Sequence, residues 1–187
     1  MKHSSGEFMK KFFFSFAFLA VIISSCQMTS NQDPKNYSGS LIVLSGATNI
    51  NYAKVNDTDQ VTYNLKAAFP APEVIDQLLK KTSDMGWTPL KEDFMNPGLP
   101  TSIVRGWSDY EDASKKPNTK VHSWQTDWQN KNGDVLIFGL KYRYPLNSQP
   151  DMSSMNVVAI YIPAKLAETM KKASLEMLNK YNKPQAK

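Results

Sequence analysis

Beyond position 26 the chain holds a single histidine, His122, and no cysteine. That inventory excludes a Cys–His dyad and a multi-histidine zinc site. A Ser-His-Asp triad would have to use His122, and the chain has no Gly-x-Ser-x-Gly turn to present its nucleophile. His122 falls on the apolar row of a strand, opposite Tyr142, which reads as a satisfied histidine at the edge of a core rather than a general base. Asp109 and Glu111 lie two apart on a strand, so their carboxylates share a face at roughly 7 Å. Paired acids at such a spacing can hydrolyse glycosides, although two acids beside a loop are more often only solvated. Asp57 and Asp59 are turn residues before they are calcium ligands, because no EF-hand spacing surrounds them. No Gly-rich phosphate loop is present and no cofactor is implied. The aromatics remain. Trp107, Trp124, Trp128 and Tyr142, with Phe138 and Tyr144, offer a stacking platform for sugar rings or the wall of an apolar pocket. Their alternation with polar residues is also what a sheet core needs, and the chain is read as a binding protein, not an enzyme.

The elements that must position these residues follow from hydrophobic period. Thr48 to Val55 reads as a strand, Asn56-Asp57-Thr58-Asp59 as a turn, and Val61, Tyr63, Leu65, Ala67 and Phe69 as the apolar row of a second strand. Pro70-Ala71-Pro72 stops that strand and opens a helix, with Glu73 near its positive end. Val74, Ile75, Leu78, Leu79 and Thr82 recur at helical spacing until Gly86. Residues 88–102 read as proline-interrupted loop and Ile103 to Tyr110 as a strand. In the next hairpin a loop of Lys131-Asn132-Gly133, with Gly133 left-handed, sets Trp128 opposite Leu136 and Trp124 opposite Leu140. Both apolar rows then share one face, while Gln125, Asp127, Lys141 and Arg143 go to solvent. Val157 to Ile162 is an apolar strand ended by Pro163. A last helix over 164–181 places Leu166, Met170, Ala173, Met177, Leu178 and Tyr181 on one side. The expected fold is α+β: one antiparallel sheet of about six strands, order ββαββββα, with two helices on one face.

The N-terminus carries an address. Lys2, Lys10 and Lys11 precede an apolar run from Phe12 to Ile23, too short to span a bilayer comfortably, and Ser24-Ser25 lead into Cys26. This segment resembles the bacterial lipoprotein signal cut by signal peptidase II, with Ile23 and Ser24-Ser25 in place of the commoner Leu and Ala-Gly. The resemblance implies that residues 1–25 are removed and that Cys26 becomes the lipidated first residue. Gln27 is not the aspartate that commonly retains such proteins in the inner membrane, so the implied location is the periplasmic face of an outer membrane. Element order also resembles the helix-grip or TATA-box-binding-protein-like domains of several envelope lipoproteins. The stretch from Gly46-Ala47 through Pro72-Glu73 to Gly86-Trp87 is similar to small uncharacterised bacterial lipoproteins and secreted domains. Neither resemblance brings a chemistry.

Domain organisation is then a signal over 1–25, a lipidated N-terminus and polar tether over 26–40, one domain over 41–182 and a tail over 183–187. Loss of Lys2, Lys10, Lys11 and Glu7 with the signal lowers the net charge from +5 to +3. Basic residues are spread among acids, which argues against nucleic acid as a partner. The expected partners are a membrane, through the lipid, and an envelope protein. The alternative is a small apolar or lipid-like ligand carried between sheet and helices.

Overall fold

The computed structural model describes residues 33–111, 119–145 and 154–181. Cys26, the signal over 1–25 and the tail over 183–187 lie outside the described residues. The elements are β1 (Thr48–Val55), β2 (Thr58–Lys66), α1 (Pro72–Asp84), β3 (Thr88–Pro89), β4 (Ser108–Glu111), β5 (Thr119–Gln129), β6 (Val135–Pro145), β7 (Ser154–Ile162) and α2 (Ala164–Tyr181), with a single helical turn at Ser102–Arg105. The chain is α+β, and among the described residues seven strands form one antiparallel sheet in the order β1-β2-β7-β6-β5-β3, with β4 also on β5. The strand beyond the expected six is β3, two residues of the proline-interrupted segment.

The β5–β6 hairpin has the register that its apolar rows require. Trp128 pairs with Leu136, Trp124 with Leu140 and His122 with Tyr142. Gly133 is left-handed at φ 88°, a backbone that side chains with a Cβ rarely adopt. Asn130 closes the loop: its N–H donates to the Asp134 carbonyl, and its Oδ1 accepts the N–H groups of Asn132 and Asp134.

The helices do not share a face. Leu78 on α1 joins Val61, Tyr63, Trp124, Trp128, Leu136, Phe138, Leu140, Tyr142, Val157 and Ala159 in one core. Ala167 on α2 joins Phe94, Val135, Ile137, Val158, Ile160 and Ile162 in another. Consecutive residues of a strand point to opposite faces, so the unbroken apolar run Val157–Ile160 demands a layer on each side. The start of α2 is fixed on the second face by the hairpin loop, where Asp134 Oδ1 accepts the Ala164 N–H at 2.9 Å.

Asp127 corrects a second expectation. It is fully buried rather than solvated. The 90–102 loop folds over the second face, placing Phe94 in that core, and the Asp127 carboxylate accepts the Phe94 N–H at 2.6 Å and the Gln125 amide at 3.1 Å. Lys141 is buried as well. The docked chain begins before Leu41: within the expected tether Tyr37 joins the first core, and Asp59 accepts the Ser38 N–H at 2.8 Å.

Candidate functional site

Two places on the described molecule combine exposure with chemistry. The first is the aromatic end of the sheet. β4 pairs Asp109 with His122, and β5 pairs His122 with Tyr142, so three strands bring their side chains together. The Asp109 carboxylate contacts His122 Nδ1, and the Tyr144 hydroxyl lies 3.0 Å from Nε2. An ionised carboxylate can only accept, so Nδ1 carries the proton of that contact, while the Tyr144 hydroxyl can pair with Nε2 in either role. Phe69 stacks on the imidazole with ring centres 4.6 Å apart. Both nitrogens and one face of the ring are thereby occupied. The plainest consequence is mechanical, a clasp across β4, β5 and β6.

Both acids of the candidate pair lie on β4: Asp109 contacts His122, and Glu111 stands in register with Lys120. Asp59 accepts from Ser38 and pairs with Lys54 at 3.3 Å, which makes it the peg of the N-terminal segment. Among the described residues no three His, Cys, Asp or Glu side chains converge on one point.

The aromatics named as a platform divide. Trp124, Trp128 and Tyr142 are buried in the first core. Only Trp107 is half-exposed, and its indole N–H donates to the Pro70 carbonyl at 3.1 Å while its ring packs on Phe69 and Tyr142. The four therefore serve packing and do not present stacking faces side by side. Tyr142 donates its hydroxyl to the Ala67 carbonyl at 3.0 Å, and burial pushes its pKa up to about 12. Burial drives Tyr63 upward too, with its hydroxyl on the Ile42 carbonyl.

These two phenols make alkaline stability testable. A folded-state pKa above the unfolded value of roughly 10 gives stability that is complete below that pH and is lost as pH rises toward the folded value. Tyr63 and Tyr142 should therefore release their protons only as the protein unfolds above pH 10. Absorbance at 295 nm will show part of the tyrosine signal rising in one step together with loss of near-ultraviolet dichroism. Smooth ionisation of all eight tyrosines in a folded chain contradicts this placement.

The second place is the outer side of β1. The opposite edge of the sheet is divided between the short β3 and β4, both on β5. β1 runs for eight residues, and among the described residues no strand pairs with its outer side. Its first half is broken by a register shift between Thr48 and Asn51, with Asn49 at φ 53°. Asn51–Val55 remains as regular edge, and Ile50 beside it is 46 % exposed. Hydrophobic period marks this strand but not its place at the edge. The signal was its weak apolar alternation beside the strong one of β2.

An open pocket of about 550 Å³ lies at the first turn of α1, lined by residues including Leu44, Leu65, Lys66, Phe69, Glu73 and Val74. It lies where the end of β2 and the following residues meet the first turns of α1. No protein-family model, curated protein or solved structure matches this chain.

Proposed function

We propose that the chain is a lipid-anchored module of the bacterial cell envelope that works by binding another protein, which adds an extended strand to β1. The observation that carries the binding surface is the open edge over Asn51–Val55, with Ile50 exposed beside it. An unpaired edge offers a row of N–H and C=O groups that a partner strand satisfies, and side-chain alternation then gives specificity. The anchor rests on the signal-like N-terminus ending at Cys26. The filled first core supports this reading over a carrier: Leu78, Leu136, Phe138 and Leu140 are wholly buried where a ligand would have to sit. On the carrier's side, Thr126 Oγ1 and Trp128 Nε1 are buried on that same face without a hydrogen-bond partner among the described residues.

Native mass spectrometry of complexes eluted from crosslinked envelope tests the proposal. The wild-type protein is expected to bring down one defined protein, and Ile50→Lys to lose it while melting within about 2 °C of wild type, as exposed substitutions do. A co-eluting lipid or small molecule and no protein would overturn the reading in favour of the carrier.

A further inference from the structure

We propose that the distal half of α2 is a membrane-contact surface that lies on anionic lipid, an inference that rests on the anchored reading above. α2 has 18 residues, about 27 Å of helix. Ala167 and Ser174 are buried and Leu166 and Met170 are half-buried, so the first half of the helix is seated on the second face. Beyond that point it is uncovered among the described residues. Leu175, Met177 and Leu178 are 41 %, 46 % and 38 % exposed. At 100° per residue Met177 and Leu178 prolong the stripe of Met170 and Ser174, so the core-facing side of the helix continues past its support.

Charge identifies the occupant. Residues 164–187 carry six lysines against two glutamates, a net +4, while residues 26–163 carry thirteen basic against fourteen acidic side chains, a net −1. The whole positive excess of the anchored chain is therefore in this helix and the few residues after it. Lys171, Lys172 and Lys180 are all exposed beside the apolar residues, and of the two acids Glu168 is already held by Lys172 at 2.8 Å. Exposed leucine and methionine among lysines suit the interface of an anionic bilayer, where each lysine contributes roughly a factor of five in affinity at low salt. Reach permits the contact. Tyr37 is docked and Pro34–Asn36 form a 3-10 turn, so the seven residue steps from Cys26 to Asp33 set the reach, roughly 23–25 Å at full extension. The domain would lie on the membrane, not stand away from it.

The test uses the lipidated protein carrying Met177→Cys, on the apolar stripe, reconstituted into vesicles and treated with a maleimide that cannot cross the bilayer. With Cys26 acylated, residue 177 presents the sole free thiol. Labelling is expected to be at least about tenfold slower on vesicles one-third phosphatidylglycerol than on pure phosphatidylcholine, and to recover in high salt. The triple variant Lys171→Glu, Lys172→Glu, Lys180→Glu should recover it too, and a Thr48→Cys control should not distinguish the vesicles. Equal rates on both vesicle types overturn the proposal, and so does slow labelling on both that ignores salt. Intact mass judges the anchor separately. If Cys26 carries no lipid the anchored reading fails, while the same comparison on an unanchored chain beginning after Cys26 still decides the role of α2.

Discussion

A chain whose residues 1–26 are exchanged for a fully cleaved secretory signal is expected to leave the membrane fraction. Buried acyl chain contributes about 0.8 kcal/mol per methylene, and one chain alone binds only marginally, so firm attachment requires more than one. The lipoprotein resemblance implies three chains on Cys26. The native protein should stay in the pellet through a high-salt wash. The exchanged chain should be released by that wash, because the lysines of α2 hold it only while salt is low. The expected change in the pelleted fraction is at least about a hundredfold. Retention of the exchanged chain after the wash contradicts lipid anchoring at Cys26.

Asp127→Ala should be the most damaging polar substitution in the described domain. The carboxylate is fully buried, and it holds the Phe94 N–H at 2.6 Å. Truncation leaves that donor without its charged acceptor, at a cost of about 2–3 kcal/mol. For a domain of this size that corresponds to a fall in Tm of roughly 6–12 °C. The loss should be local first. The Leu90 N–H, bonded to the Asp127 carbonyl at 2.8 Å, keeps its tie to β5, so hydrogen exchange at Phe94 should accelerate before the sheet opens. Asp127→Asn preserves an acceptor oxygen and should lose roughly half as much. A Tm change under about 2 °C for Asp127→Ala would show that the 90–102 loop is held by other contacts.

Asp127 also marks where the sequence stopped being readable. The hairpin register was legible because Lys131-Asn132-Gly133 and two apolar rows agree on one solution, and any slip would bury the polar set. The same logic sends Asp127 to solvent, because period two assigns a face but does not say what covers it. The cover is the proline-interrupted loop, whose Phe94 is a single apolar residue without period. Helix placement failed for a related reason. Val157 to Ile162 announces a strand buried on both sides, yet which helix covers which face is decided by the Asp134–Ala164 contact, between residues thirty positions apart. The clasp of Asp109, His122 and Tyr144 was only half legible. His122 opposite Tyr142 follows from the register, whereas β4 reaches His122 by a pairing that leaves no pattern in the sequence.

The β1 edge and the distal half of α2 share a property that sequence period conceals. Each looks like an ordinary amphipathic element, and each lacks part of the layer its pattern calls for. If β1 receives a partner strand while α2 rests on lipid, the module would hold its partner close to the membrane surface.

The central claim is that β1 receives a strand from another protein. A photo-crosslinking residue placed at Lys54, which is exposed on that edge, tests it most directly in intact envelope. The predicted result is one discrete adduct, mapped by mass spectrometry to an extended segment of a single partner. It should vanish in the Ile50→Lys background and be absent when the probe is moved to Lys91. No adduct at Lys54, or the same adducts from Lys54 and Lys91 alike, would contradict the account.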